Sequence, residues 1–375
     1  MDFKLPEYVL QYKQETRQWV ENVLNPLSKP METEERIPEE LVAELKKGRF
    51  FGLTIPQEYD GQGWKAVEWF PVLEELAKAY ATVRLIAHTM NGLFWRPIEK
   101  FGTKEQKKKY LPKIASGELW AANSLTEPET GTGKDIATKA VRRGDEYILN
   151  GHKWLITFFP GYSKLIYTFA TTDNGVTAFL VELPNEGVIT KPMPKMMGCI
   201  GPRHYHIIFK NCRVPVSQIL GEEGEGLSIA FDMLHLSRVS SAFCCVGLAD
   251  RMLELAIAYA KRRRTFGKLL AERESIRHMI AQMGTEIHAA RLLAYEAAWK
   301  FDQGLSIVTE AAMAKLFADQ MITRVSEMAL KIHGGIGYTQ AYPLERHFRD
   351  ARSFHFEDGT EEVQKLIIAR HFLSG

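Results

Sequence analysis

The stretch KAVRRGDEYILNGHKWLITF, residues 139–158, marks the point where the sequence changes from helix-forming to strand-forming. It is rich in β-branched and aromatic residues. Three short runs of the same kind follow, separated by glycine, asparagine and proline: KLIYTFATT at 164–172, VTAFLVEL at 176–183 and HYHIIFKNCRVP at 204–215. Runs of this composition between turn residues are typical of β-strands. The sequence therefore predicts a middle antiparallel β domain over residues 119–224.

The segments on both sides of this region carry a helical pattern. Residues 1–118 and 225–375 contain runs with apolar residues at three- and four-residue spacing, such as WFPVLEELAKAYATVRLIAHTMNGLFW and RHMIAQMGTEIHAARLLAYEAAWKF. This order predicts an α+β protein with an N-terminal helical domain, the middle β domain and a C-terminal helical domain. The sequence shows no phosphate-binding strand–loop–helix fingerprint and no internal repeat.

The composition excludes several classes of protein. The formal net charge of the 375 residues is +2, too close to balance for a nucleic-acid-binding surface. No run of about 18 apolar residues is present, so no membrane-spanning helix is predicted. The charged N-terminus is typical of a helix and not of a secretory signal. Cys199, Cys212, Cys244 and Cys245 lack metal-binding spacing, and we expect a reducing, cytoplasmic compartment.

Four stretches together carry a resemblance to a known family. They are LTEPETGTGKD (125–135), NGHKWLIT (150–157), RRRTFGKLL (262–270) and KIHGGIGYTQAYPLERHFRDARSFHFEDGTEEVQ (331–364). In this order and at this spacing, they resemble the acyl-CoA dehydrogenase family of flavoproteins over essentially the whole chain. The resemblance implies a C-terminal four-helix bundle, FAD as cofactor and an acyl-CoA substrate. It further implies a homotetramer and an electron-transferring flavoprotein as acceptor, with no nucleic-acid or membrane partner.

The resemblance places the flavin ring between two of these stretches. Leu125 and Thr126 take the positions whose backbone and hydroxyl groups hydrogen-bond the polar edge of the ring. Thr132 is expected in a serine-like role near the flavin phosphate, in a loop two residues longer than is usual in the family. Thr157 falls where a hydroxyl reaches the reactive nitrogen of the flavin. Leu155 stands where the family often has an aromatic residue.

A second group of residues is implied to bind the rest of the cofactor. Arg263 and Phe266 occupy the R-x-x-F-G positions, and this arginine serves the flavin of a neighbouring subunit in the family. A guanidinium suits a pyrophosphate because its charge is permanent and its donors are forked. Gly334 and Gly335 let the backbone approach a phosphate closely, and Lys331 replaces a glutamine. The remaining implied cofactor contacts are Thr360 and Glu362.

The implied reaction is α,β-dehydrogenation, in which a base takes the α-proton while hydride leaves the β-carbon for the flavin. The usual base is a glutamate directly before a Gly-Thr pair, and here that residue is Asp358. Glu357 sits where the family has an aromatic residue. A second base position, before Arg238, holds Ser237. Aspartate is one methylene shorter, so its reach falls by roughly 1.3–1.5 Å. Our hypothesis is that Asp358 is the base, with Glu357 as the other candidate; the alternative is that both only cap the next helix.

The acyl end of the pocket is expected at HTMNGLFWRP, residues 88–97. Here Phe94 and Trp95 favour a compact or ring-shaped, even alicyclic, acyl group. The full set of expected substrate contacts is Met90, Asn91, Phe94, Trp95, His235 and Arg238. Two other functions stay open on the sequence: an acyl-CoA or nitroalkane oxidase of the same fold, and a catalytically inactive flavin-binding homologue.

Overall fold

The computed structural model describes residues 4–34, 36–131, 135–201 and 203–374. The N-terminal part is helical, with α1 (Glu7–Trp19), α2 (Asn25–Ser28), α3 (Met31–Glu34), α4 (Glu39–Lys47), α5 (Ala66–Leu76), α6 (Ala81–His88), α7 (Arg96–Phe101) and α8 (Lys104–Ala115). A π-helical turn, Thr89–Leu93, extends α6. Helix α8 begins at a capping box, in which Thr103 and Gln106 satisfy each other's backbone N–H groups at 3.2 and 3.0 Å.

The middle part forms one sheet. Its strands are β1 (Trp120–Ser124), β2 (Lys139–Arg143), β3 (Glu146–Phe158), β4 (Ser163–Thr172), β5 (Gly175–Glu182), β6 (Val188–Pro192), β7 (Arg203–Pro215) and β8 (Ile219–Leu220). The strand order is β6-β7-β3-β2-β4-β5-β8, and β1 pairs with β4 outside this path. Both β1 and β2 run parallel to β4, whereas the other pairs are antiparallel. The expectation of a purely antiparallel sheet is therefore corrected to a mixed one, because composition predicts strands but not their direction.

Strand β3 is the centre of this sheet. It forms a hairpin with β2 through Gly144, whose φ of +62° is a left-handed value that glycine adopts at little cost. Along its other edge β3 pairs with β7, and two irregularities interrupt their register. The second irregularity, between Lys153 and Ile156, falls within the stretch expected to face the flavin.

The C-terminal part is helical again. It contains α9 (Gly226–Arg262), a short hairpin of β9 (Arg264–Thr265) and β10 (Lys268–Leu269), α10 (Glu274–Asp302), α11 (Val308–His333), α12 (Leu344–Ala351) and α13 (Glu361–Leu373). Helix α11 packs against α9, α10 and α13, which confirms the expected four-helix arrangement. The middle of α9 is buried on all sides, and its free thiols Cys244 and Cys245 lie in the core.

The two helical parts share one hydrophobic core. Helix α5 packs against α1 in its own part and against α9 and α10 of the bundle. A smaller core, which includes Tyr147, Phe179 and Phe209, lies within the sheet. As a result, α6, the middle of α9 and the α12–α13 loop meet inside the molecule. Within the described ranges, no helix is both long and apolar enough to cross a bilayer.

Candidate active site

Three elements converge around the carboxylate of Asp358: helix α6, the middle of α9 and the loop between α12 and α13. The hydroxyl of Ser237 on α9 donates to Asp358 Oδ1 at 2.8 Å. Ser237 is fully buried, and Asp358 is partly buried. The structure thus joins the two positions at which the sequence placed alternative bases, and the serine serves the aspartate as a hydrogen-bond donor.

The loop that carries Asp358 has an uncommon backbone conformation. Asp358 has φ +56°, a left-handed value that residues with a Cβ rarely adopt, and Gly359 follows with φ +96°. Arg238 Nε and Gln364 Nε2 both donate to the carbonyl oxygen of Asp358, at 3.1 and 3.2 Å, and Gln364 also donates to Gly359 O at 2.9 Å. These bonds hold the aspartate toward α9. Arg238 therefore positions the loop, and its Nη1 lies 3.4 Å from Nδ1 of His235.

Glu357, the neighbouring carboxylate, is bound to α6 by an ion pair. Arg84 donates to both of its oxygens, at 2.9 and 2.8 Å, and also to Ser353 Oγ at 3.1 Å. Burial would raise the pKa of Glu357, but the charge and hydrogen bonds of Arg84 hold that pKa at about 2. A carboxylate of such low basicity, with both oxygens occupied, is poorly suited to take a proton from carbon.

His88, one turn after Arg84 on α6, connects two serines of α9. Its Nε2 lies 3.3 Å from Ser237 Oγ, and its Nδ1 is hydrogen-bonded to Ser240 Oγ. Burial lowers the pKa of His88, whereas the nearby carboxylates raise it and the charge of Arg84 lowers it further. A continuous path of hydrogen bonds therefore runs from Ser240 through His88 and Ser237 to Asp358.

The turn that begins at Leu125 is fixed by a buried ion pair. Lys153 Nζ lies 2.8 Å from Glu127 Oε1 and donates to the carbonyl oxygens of Leu125 and Phe169, at 3.2 and 2.8 Å. Burial lowers the pKa of Lys153 to about 8. Burial would raise the pKa of Glu127, but its hydrogen bonds, above all that from Lys153, hold it at about 2. Both groups are therefore charged at neutral pH. Thr132, further along this loop, lies outside the described residues.

Strand β3 presents Leu155 to solvent at its second pairing irregularity. Leu155 has φ +55°, and its side chain is 43% exposed. Just before it, the backbone N–H of Trp154 donates to the carbonyl oxygen of Thr126 at 3.0 Å, which places the Leu125 turn beside this strand. Thr157 Oγ1 lies 3.4 Å from Nε2 of His204 on β7, and burial lowers the pKa of His204.

A second set of predicted residues lies on the surface, at the ends of α9 and α11; we call Arg263, Phe266, Lys331, Gly334 and Gly335 the outer rim. All five are exposed, and Phe266 is 98% exposed. Within the described part of the chain, the guanidinium of Arg263 makes no hydrogen bond or ion pair. The outer rim is therefore not part of the buried cluster around Asp358.

Two further predicted cofactor residues begin helix α13. Thr360 is the N-cap residue of this helix and is exposed. Glu362, in the first turn, is exposed as well, and hydrogen bonds from backbone N–H and from Thr360 lower its pKa. Both follow Asp358 closely along the chain, but they face solvent.

The segment expected to line the acyl pocket is core in this structure. Met90, Asn91, Phe94 and Trp95 are all buried. Asn91 accepts from the N–H of Leu53 at 2.8 Å, and its amide nitrogen donates to two carbonyl oxygens, so its polar atoms are occupied by backbone groups. Trp95 Nε1 donates to Asn91 O at 2.8 Å. The described hydrogen bonds of the Asn91 side chain are thus with backbone groups, and its expected contact with substrate stays a prediction.

Comparison with known proteins identifies the family of this chain. Models of the three acyl-CoA dehydrogenase domains match the chain in order: the N-terminal domain at residues 7–118, the middle domain at 122–212 and the C-terminal domain at 224–373. The chain belongs to the acyl-CoA dehydrogenase family. Members of this family are FAD-dependent oxidoreductases that act on a CH–CH group of acyl-CoA.

Three related proteins illustrate the similarity. The 3-(aryl)acrylate reductase of Clostridium sporogenes is 38% identical over 366 residues, 95% of this chain and 96% of the relative. The caffeyl-CoA reductase-Etf complex subunit CarC of Acetobacterium woodii is 37% identical over 340 residues, 88% of this chain and 89% of the relative. The solved structure of butyryl-CoA dehydrogenase from Megasphaera elsdenii has a TM-score of 0.94 at 33% identity and covers 100% of both chains.

Sequence reasoning missed several buried titratable residues next to the site. Arg84 and His88 interrupt the apolar run ATVRLIAH with a spacing of four, which places them on one face of a helix. Lys315 and Asp319 repeat this spacing in α11, and Lys315 Nζ donates to the carbonyl oxygen of Phe354, between α12 and α13, at 2.6 Å. Two titratable residues at helical spacing inside an apolar run were the signal that could have found both sets.

Proposed function

We propose that this chain dehydrogenates an acyl-CoA thioester with Asp358 as the base that takes the α-proton. The observation that carries the proposal is the contrast between two neighbouring carboxylates. Glu357 has both oxygens bound by Arg84, whereas Asp358 accepts a single side-chain hydroxyl, that of Ser237, from the described residues. Because aspartate is shorter than glutamate, we infer that the α-carbon sits roughly 1.3–1.5 Å closer to this loop than a glutamate base would require.

The chain's own residues orient the base and give it a hydrogen-bond donor. An α-proton is weakly acidic, so negative charge builds toward the thioester oxygen while the base takes the proton. The base must therefore be ionised and correctly aimed before the substrate binds. Ser237 supplies a donor to the carboxylate, and Arg238 and Gln364 fix the backbone that carries it. Bound FAD would supply the acceptor for the β-hydride.

The residues present fit FAD in two places. Beside strand β3, the Lys153–Glu127 pair fixes the turn at Leu125, and Leu155 is turned outward from this strand. On the outer rim, a Cβ added at Gly334 or Gly335 would meet no atom within 4 Å, so a ligand has room against this backbone. The exposed guanidinium of Arg263 suits a pyrophosphate there.

We infer that the outer rim serves a neighbouring subunit, as part of a homotetramer. The support is exposed apolar surface on the same bundle. Phe266 is 98% exposed, and on α13 Leu366, Phe372 and Leu373 are 67%, 69% and 85% exposed. Apolar side chains exposed to this degree in one domain mark an interaction surface. The free, buried state of the four cysteines also agrees with the proposed cytoplasmic location.

We propose a compact or ring-shaped acyl group and an electron-transferring flavoprotein as redox partner. Phe94 and Trp95 are buried in the core. The support for this proposal comes from two relatives. One relative acts on 3-(aryl)acrylate, and another is the subunit of a caffeyl-CoA reductase-Etf complex. Both names describe an aromatic ring on a three-carbon acyl chain.

The decisive experiment compares Asp358→Asn with Glu357→Gln in the purified holoenzyme. Flavin reduction is followed anaerobically by stopped-flow with butyryl-CoA and 3-phenylpropionyl-CoA. We expect Asp358→Asn to slow reduction by about 100- to 10,000-fold with FAD still bound, and Glu357→Gln to change it by less than about tenfold. Reduction at a near wild-type rate in Asp358→Asn would place the base elsewhere.

An oxygen pulse after reduction separates an oxidase from a dehydrogenase, and a flavin that no thioester bleaches would indicate an inactive homologue.

A further inference from the structure

His88 is buried beside the proposed base, and the reaction itself gives it no role. It touches Asp358 only through Ser237, and its two ring nitrogens are both hydrogen-bonded to serines of α9. We propose that His88 is a positioning residue that holds the Ser237 hydroxyl in the orientation that donates to Asp358. This inference rests on the proposed function of Asp358 as the base.

The direction of the hydrogen bonds follows from counting protons. A serine hydroxyl has one proton, and Ser237 uses it toward Asp358 Oδ1 at 2.8 Å. The Nε2 of His88 lies 3.3 Å from Ser237 Oγ. It must then be the donor to this oxygen, because two acceptors would otherwise face each other. A neutral imidazole with its proton on Nε2 accepts at Nδ1, where the hydroxyl of Ser240 donates. All donors in the path therefore point toward the carboxylate.

Burial keeps the imidazole neutral and the path intact. His88 is 6% exposed, and this burial lowers its pKa. The charged and titratable groups around the path are Arg84 on α6, Arg238 and His235 on α9, His204 on β7, and Glu357 with Asp358 in the loop. Because Arg84 and Glu357 neutralise each other, the carboxylate of Asp358 is the remaining acceptor that the donors of this path serve.

The consequence for catalysis is a base with a constant hydrogen-bond donor and a fixed orientation. A hydrogen bond to the charged form of a carboxylate favours that form. With Oδ1 fixed by Ser237, the carboxylate keeps one orientation, and its second oxygen is left to take the substrate proton. If His88 loses its donor, the Ser237 hydroxyl is free to rotate, and both effects weaken.

The test is the pH dependence of flavin reduction by butyryl-CoA in four holoenzyme variants: Ser237→Ala, His88→Met, His88→Gln and the Ser237→Ala/His88→Met double variant. We expect Ser237→Ala to move the acid limb of the pH–rate profile up by roughly one pH unit, because the ionised base loses a donor to charge. His88→Met should move it by roughly half as much. His88→Gln keeps a side-chain N–H at a similar reach and should restore the wild-type limb.

The double variant decides whether His88 acts through Ser237. If it does, the double variant has the same acid limb as Ser237→Ala alone, since the effects of coupled residues do not add. Additive shifts, or an unshifted limb in His88→Met, would overturn the proposal. His278→Met on the exposed face of α10 is the matched control and should leave the profile unchanged. Failure of the base assignment shows separately, as normal reduction in Asp358→Asn.

A second measurement does not depend on turnover. In holoenzyme labelled with ¹⁵N-histidine, the His88 signals are assigned by their loss in His88→Gln. We expect the ring nitrogen shifts of a neutral imidazole protonated at Nε2. A neutral imidazole protonated at Nδ1, or an imidazolium at neutral pH, would reverse the donor order and overturn the proposal.

Discussion

The buried site around Asp358 and the outer rim differ in where their polar groups find partners. Inside the molecule, buried charges are matched within the chain: Arg84 with Glu357, Lys153 with Glu127, and Lys315 with Asp319. On the outer rim, Arg263 and Lys331 are exposed, and glycine leaves open space against the backbone. A charge without a protein partner can stay only where water or a ligand reaches it.

Because of this difference, we expect substitutions in the two regions to affect different properties of the protein. Removing a partner inside the molecule leaves a buried charge unpaired, so the folded state itself should lose stability. Removing an exposed charge on the outer rim leaves nothing unpaired in the chain, so only the binding of a ligand or a neighbouring subunit should suffer. Substitutions in the two regions should therefore give opposite patterns of stability and cofactor retention.

The largest stability effect is expected from the pair that fixes the turn at Leu125. Lys153→Met should lower the free energy of unfolding by about 3–5 kcal/mol, because Glu127 stays buried without its counter-charge. Urea denaturation of the apoprotein, followed by circular dichroism, measures this loss. Lys153→Met/Glu127→Gln should recover more than half of it.

Lys113→Met is the matched control for Lys153→Met. Its partner Glu118 is 3.8 Å away, and both side chains are more than half exposed, so the change should stay within about 0.5 kcal/mol. Equal losses in Lys153→Met and Lys113→Met would contradict the structural role of the buried pair.

A smaller effect of another kind is expected on the outer rim. Arg263→Ala should weaken FAD retention by roughly 1.5–3 kcal/mol, the usual scale for a hydrogen bond to a charged group, and leave the stability of the apoprotein unchanged. Dilution followed by flavin fluorescence and light scattering measures retention and oligomeric size together. Arg264→Ala, one residue further on, is the control. Full flavin retention in Arg263→Ala would show that this arginine does not bind the cofactor.

Local pattern explains what the sequence predicted correctly. The order of the three segments was predictable because helical and strand periodicities are local properties of the sequence. The family was predictable because short motifs such as FEDGT and RRRTFG are characteristic of it. Strand direction was not predictable, since β1 and β4 become parallel only when distant segments meet. The outward turn of Leu155 was also hidden, because it depends on a pairing irregularity between β3 and β7.

The partners of Glu357 and Asp358 were beyond sequence reasoning for the same reason. Arg84 and Glu357 lie 273 positions apart in the chain, and nothing near either residue indicates the other. On the sequence alone, where this ion pair is not visible, Glu357 and Asp358 are two adjacent carboxylates that are both candidates for the base. The fold separates them by giving one a counter-charge and the other a hydroxyl donor.

The smallest expected effect tests this separation through acid stability. The pKa of Glu357 is about 2 in the folded protein, below an unfolded value of about 4.3. A carboxyl group whose pKa is lowered by folding stabilises the protein fully above the unfolded pKa and loses that contribution as the pH falls toward the folded pKa. Between pH 5 and pH 3, the wild type should therefore lose about 1.5 kcal/mol more stability than Arg84→Met/Glu357→Gln, which lacks the titrating pair. Urea midpoints at pH 5, 4 and 3 measure the difference.

The exposed pair Arg213–Glu146, 3.1 Å apart, supplies the control, because Arg213→Met/Glu146→Gln should follow the wild-type curve. If both double variants follow the wild type, Arg84 does not hold Glu357 ionised in solution. Glu357 would then be a second candidate for the base. The difference between a Glu357 carboxylate bound by Arg84 and an Asp358 carboxylate bound by Ser237, on which the proposed role of Asp358 depends, would be lost.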